Sequence, residues 1–194
     1  YKYQYNENRI IYISKNISKS IILFFIFIYG YKNINNALIF NIWNNDFIHY
    51  LGILYSSHDI LSLFLYNNVL SSTTKWHHKS VFILSIFNLY VDYTKKTIWR
   101  GLVAYAFYSA LAFYVNTFLG IRFLINRDKT YLISKFAYYI YFFTCTINWM
   151  YQLYFFYNYC LLNLIHTIIY IGLSSMLIND DLMLLKFLKK YKIN

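Results

Sequence analysis

Long apolar runs alternate with short polar breaks along this chain, at 21–31, 47–66, 81–93, 101–125, 137–157 and 161–178. None shows the apolar–polar alternation over about ten residues that a membrane barrel strand requires, so helices are expected. A helix rises 1.5 Å per residue and a bilayer core is about 30 Å thick, so a span needs about 20 residues. The run 101–125 meets that length without interruption, whereas 21–31 and 81–93 need flanking residues or tilt. The run 47–66 is long enough but carries Ser56, Ser57, His58 and Asp59 near its centre. Only a few residues around Asn158 separate the last two runs, which predicts a tight helical hairpin or one long bent helix. The pattern therefore predicts an all-α polytopic transmembrane protein of four to six spans. Residues 1–20 read as a polar tail or interfacial helix, 21–180 as one transmembrane domain and 181–194 as a basic tail.

Composition strengthens this reading. Hydrophobic residues make up 59% of the chain and charged ones 13%, with a mean hydropathy of +0.38. Ordinary soluble domains hold about 45–50% and 25%. The 24 Tyr and 18 Phe suit a protein whose aromatic rings sit at membrane–water boundaries. The net charge of +11 comes from basic residues gathered at the ends and in the gaps between apolar runs: Lys15 and Lys19, Lys95, Lys96 and Arg100, Arg127, Lys129 and Lys135, and Lys186 to Lys192. That distribution predicts contact with lipid headgroups or partner subunits rather than nucleic acid, and a bound phospholipid such as cardiolipin fits it. Cys145 and Cys160 lie outside any metal or haem spacing, so no metal or other cofactor is expected. No small-residue cleavage pattern follows 21–31, so no secretory signal is predicted.

Pro is absent, and Ile, Asn, Lys, Tyr and Phe dominate. This resembles the product of a very A+T-rich genome, of the kind ciliate mitochondria carry, although A+T-rich nuclear and giant-virus genomes share the bias. The resemblance implies a multi-pass subunit of an energy-transducing complex of the mitochondrial inner membrane, from the respiratory chain or ATP synthase. Such a subunit has other membrane subunits and lipids as partners and no independent enzymatic activity.

Ionisable groups inside a span are costly and mark functional positions. Four places qualify: His58 with Asp59, His77 with His78, Arg122 with Asn126, and His166. The run Leu119, Gly120, Ile121, Arg122, with Asn126 four residues on, resembles the signature of F-type ATP synthase subunit a. In that family the Arg faces the carboxylates of a rotating c-ring. His166 and Tyr170, followed by Leu177 to Asp180, resemble its final helix. The resemblance implies a proton path through Arg122, Asn126 and His166. The family's acidic residue in that final region would fall near Tyr159, where this chain has none. A non-catalytic accessory subunit is the alternative within the same class, with Arg122 an ordinary positive flank of a span.

A second resemblance begins upstream. His58 and Asp59, then Trp76, His77, His78 and Lys79, resemble the core of the TLC-domain family, a lipid-handling group that includes the ceramide synthases. Those proteins carry an Asp in one span and a His-His pair about twenty residues later at the head of the next; here Asp59 and His77 stand 18 apart. The resemblance implies acid–base chemistry on a lipid amine or hydroxyl, because imidazole titrates near neutrality. The downstream acidic residues of ceramide synthases are not evident. The other reading of His77 and His78 is two exposed side chains in a polar loop, 71–80.

Asp59 should not face lipid if 47–66 spans the bilayer. It is then expected to turn inward and meet a hydroxyl, a Tyr or a basic group of another helix, with Ser62 on its own face. A break at Ser56 would instead leave His58 and Asp59 in water. No P-loop, dinucleotide fingerprint, HExxH or nucleophile elbow occurs.

Overall fold

A computed structural model describes residues 7–66, 68 and 70–190. They form helices α1 (Glu7–Phe40), α2 (Asn45–Leu65), α3 (Ser72–Tyr90), α4 (Arg100–Leu111), α5 (Phe113–Ile121), α6 (Arg127–Tyr159) and α7 (Leu164–Lys190). Polar side chains start and stop them. Asn44 accepts from the Phe47 N–H to cap α2, Ser71 accepts from the Thr74 N–H to cap α3, and Asn163 accepts from the His166 N–H as α7 begins. After α1 the backbone turns at Asn41, whose φ of 55° is left-handed, a conformation Asn tolerates better than most residues.

The stretch 1–20, read as a polar tail or an interfacial helix, is from Glu7 onward the first turns of α1; residues 1–6 lie outside the described ones. The basic tail from 181 likewise continues α7 as far as Lys190. The last two apolar runs form a hairpin of α6 and α7, which pack on each other. Gly101 to Ile125 is not one straight span, because α4 and α5 meet at a bend of 42°.

Two helices are long and apolar enough to cross a bilayer, α1 over Arg9–Phe40 and α7 over Leu164–Lys190, and the bent α4–α5 pair makes a third if it counts as one span. This corrects the expected four to six. The other helices fall short in hydropathy rather than length: α2 carries Ser56, Ser57, His58 and Asp59, α3 begins with two Thr, a Lys and two His, and α6 is diluted by Tyr and Asn.

The helices close into a ring. Helix α1 packs on α2 and on α4 and α5, α2 on α3, α3 on α7, α7 on α6, and α6 returns to α4 and α5. On α6 and α7 the polarity is partly inverted relative to a soluble protein. Along α7, Ile165, Ile168 and Ile171 point outward while Thr167, Tyr170 and Asp181 are buried. Along α6, Phe143, Leu153 and Tyr157 face out while Thr144, Asn148 and Gln152 are buried. Water would make that arrangement unfavourable. Hydrocarbon favours it, since small and polar groups then satisfy one another between helices.

Polar bonds fix three of the helix contacts. Gln152 of α6 donates to the Gly101 carbonyl and to Asn148, and accepts from the Tyr170 hydroxyl of α7. Ser20 of α1 donates to the Phe113 carbonyl at 2.9 Å and meets the Thr117 hydroxyl at 2.6 Å. One turn further, α5 comes so close to α1 that a Cβ on Gly120 would lie 2.7 Å from Ile17 Cγ1 and 3.3 Å from the Ile13 carbonyl oxygen. Gly120→Val is therefore expected to destabilise the protein by about 1–3 kcal/mol, read as a lowered melting temperature in detergent. An unchanged melting temperature would show that α1 and α5 part freely.

The loop between α3 and α4 is held by charge. Arg100, 2% exposed, donates to the Tyr93 and Thr94 carbonyls and to Asn41 Oδ1, and its guanidinium lies 4.3 Å from the centre of the Trp43 ring. Asp92 accepts from the Asn45 amide and from the Thr94 hydroxyl and N–H. These bonds, the Asn45 amide foremost, hold its carboxyl well below the usual carboxylate range. Its contribution is thus fully present above the unfolded pKa of about 4 and is lost only as pH falls through the depressed folded value.

Candidate functional site

Asp59 is the centre of the largest cluster of ionisable groups among the described residues. It lies on α2 with 0% exposure, turned toward α1 and α3. Lys19 of α1 places its ammonium 2.5 Å from Oδ1. On α3, His78 Nδ1 stands 3.2 Å from the same oxygen, and His77 Nε2 stands 3.7 Å from Oδ2. The other nitrogen of each ring has a separate neighbour. His77 Nδ1 lies 3.1 Å from Asp180 of α7, and His78 Nε2 meets the Lys15 ammonium at 3.3 Å. Four helices converge here on two carboxylates, two imidazoles and two ammonium groups.

Local sequence explains how. Lys15 and Lys19 are four apart, so they share one face of α1. The Ser71 cap starts α3 just early enough for both His to sit on its first two turns, where they are buried rather than held in a loop. His58 is separate from the cluster's core: its Nε2 meets Ser18 Oγ at 3.0 Å.

Asp59, His77 and His78 offer ligand atoms within 4.8 Å of one another, a spacing that could hold a metal ion. The Lys19 ammonium already supplies a cation to Asp59, and a divalent ion would have to share that carboxylate with it. The donor set therefore fits an internally neutralised acid–base cluster better than a metal centre.

This cluster opens on a cavity of about 490 Å³ inside the ring. Lys15 and Lys19 line it from α1, Thr74, His77 and His78 from α3, Ser109 from α4, Asn116 from α5, Arg122 just after α5, and Asp180 and Asp181 from α7. Leu23, Val115, Leu119 and Leu184 give it apolar walls. Next to Asp180, Asp181 is buried and accepts from the Tyr141 hydroxyl at 2.7 Å and from the Tyr105 hydroxyl at 3.3 Å. The bend between α4 and α5 shapes the space, because both helices contribute one face to its wall.

Of the residues singled out in the sequence, Asp59, His77 and His78 come together. Arg122 reaches the same cavity but not the same cluster: its guanidinium is caged by Tyr12, Phe123 and Phe187, with ring centres 4.6–5.3 Å away, and donates to the Tyr12 hydroxyl. Asn126 is exposed at the start of α6, where its carbonyl accepts from Thr130. His166 packs edge-on against Trp99 with ring centres 5.7 Å apart. Phe187, which touches Arg122, and His166 stand 21 positions apart on α7, about 30 Å along its axis. The structure does not bring Arg122 and His166 together.

Sequence reasoning missed Lys15, Lys19 and Asp181 as site residues. The two lysines read as headgroup contacts, and only the need for a counter-charge opposite Asp59 could have pointed inward. Comparison with protein-family models, with curated proteins and with solved structures returned no match. The chain is thus defined by its own features: a helical protein with two or three elements long and apolar enough to span a membrane, and a polar cluster inside the bundle.

Proposed function

We propose that this chain is a membrane-embedded lipid-handling protein of the kind its likeness to the TLC-domain family implies, acting on a lipid hydroxyl or amine by acid–base chemistry. The observation that supports this is the opening of the Asp59, His77 and His78 cluster onto a cavity with both polar and apolar walls. An amphiphile needs both kinds of wall, one for its head and one for the first carbons of its chain. His78 stands between Asp59 and Lys15 with its ring on the cavity, and its Nε2 can take a proton from a bound hydroxyl or amine once the Lys15 ammonium that now meets it turns to the bound lipid. Asp59 orients the ring. Asp180 does the same for His77.

The test is the lipid composition of host membranes that carry the protein. Wild-type protein is expected to change the abundance of at least one lipid class, and the double variant H77A/H78A to leave it as in membranes without the protein. Equal lipid profiles for wild type and double variant would overturn the proposal.

A place in a mitochondrial energy-transducing complex has composition as its support, not the site. An Arg that serves a c-ring has to face that ring, whereas Arg122 turns into the bundle and its aromatic cage. Blue-native electrophoresis separates the two readings, since comigration with a respiratory complex or ATP synthase would favour the subunit.

A further inference from the structure

From Lys15, at the edge of the Asp59 cluster, to Arg122, the cavity wall carries two cations. Among the described residues, neither Lys15 nor Arg122 has a carboxylate in ion-pair range, while Lys19 is held by Asp59 and His77 by Asp180. Lys15 meets the cluster through His78 Nε2, with Asp59 and Asp180 acting on it from beyond ion-pair range. Arg122 spends one amino group on Tyr12, and its Nε is buried with no partner. Tyr12 and Lys15 are three apart on α1, so the ring that stacks with Arg122 and the Lys15 side chain lie on one face of that helix. The two cations therefore border one stretch of cavity. The N-terminal end of α3, with Ser71 and Thr74 in the lining, adds hydroxyl groups and the positive end of a 19-residue helix.

Two buried-side cations, hydroxyl donors and a helix N-terminus on one wall favour a compact group with two negative charges and several acceptor oxygens. Guanidinium and phosphate match in shape and charge. Leu119 and Leu184 continue the wall with apolar surface, which a free ion would not need.

We infer that the cavity between Lys15 and Arg122 binds a phosphate monoester, carried as the headgroup of a membrane lipid. The inference rests on the lipid-handling reading and names the head that the site accepts. The phosphate would sit between Arg122 and Lys15, accept from Thr74, and leave its glyceryl end toward His78. The same phosphate chemistry could come from a soluble phosphoester, and the experiment separates the two sources.

The test uses the full chain purified in a neutral detergent and native mass spectrometry with three probes: dioleoyl phosphatidic acid, dioleoylglycerol and glycerol 3-phosphate. One phosphatidic acid per chain is expected to remain bound, and dioleoylglycerol is expected to be lost. Phosphatidic acid retention should fall about tenfold or more in K15Q and in R122Q, and by less than twofold in K96Q, whose lysine lies on the loop between α3 and α4. Circular dichroism melting confirms that each variant is folded, and R122K, which keeps the charge, should retain part of the binding if R122Q fails to fold. Glycerol 3-phosphate competing as well as phosphatidic acid would overturn the lipid source. Equal retention of dioleoylglycerol, or equal loss in K96Q, would overturn the site itself. Because H77A/H78A keeps Lys15 and Arg122, it should still bind phosphatidic acid. That result stands even if host lipid profiles never change, so failure of the lipid-handling reading and failure of this inference are distinguishable.

Discussion

Replacing Asp59 by Asn is expected to lower the stability of the protein by about 3–5 kcal/mol, the usual cost of removing one partner from a buried ion pair. The carboxylate is fully buried, and Lys19 has no second carboxylate in ion-pair range among the described residues. In the variant the Lys19 ammonium would keep its desolvation cost and lose its compensation, and both imidazoles would lose the group that faces them. Because the pair joins α1 to α2, the loss should appear as early separation of these two helices. Unfolding in mixed micelles, followed by Trp fluorescence, is the measurement. The double variant K19M/D59L should recover most of the lost stability, since it removes both charges together. If D59N unfolds together with the wild type, the cluster is not what ties α1 to its neighbours.

On the lipid-handling proposal, His78→Ala is expected to lower the rate of lipid conversion by about 10²- to 10⁴-fold, the contribution of one positioned acid–base group. His58→Ala should cost less than about threefold on the same scale. The two residues are equally ordinary in sequence, each a His in a helix beside the same Asp. They differ in position: His78 lines the cavity, whereas His58 is outside its lining and meets Ser18. Comparable losses in both variants would mean that damage to packing, not proton transfer, sets the rate. Asp180→Asn provides an intermediate case, because Asp180 acts through His77 and not on a bound lipid. It should shift the pH profile of the rate more than its maximum.

How much of this was legible beforehand differs from residue to residue. The gap between 93 and 101 and the few residues around Asn158 lie close to where helices stop, at 91–99 and 160–163, whereas the mostly polar residues 32–36 that end the run 21–31 lie inside α1. The inward direction of Asp59 follows from the expense of a carboxylate in hydrocarbon, and the spacing to His77 and His78 is visible in one line of sequence. Two features were not legible. The bend after Leu111 has no proline or glycine to announce it. The inward turn of Lys15 and Lys19 contradicts the usual habit of lysines near the end of a span, which is to reach for headgroups.

The sequence alone determined that the chain is helical, that it is too apolar for water, and where its costly polar groups stand, because each of these depends on neighbours within a few residues. The tertiary structure decided which helices become partners, how many are apolar enough to cross, and that Lys19, Asp59, His77, His78 and Asp180 meet. Those contacts join residues 18 to 103 positions apart, and lipid-facing and core-facing sides of such helices are both largely apolar. With no strong amphipathic stripe to orient each helix, the pairing of a few buried charges and the close approach at Gly120 set the arrangement, and neither is a local property of the chain.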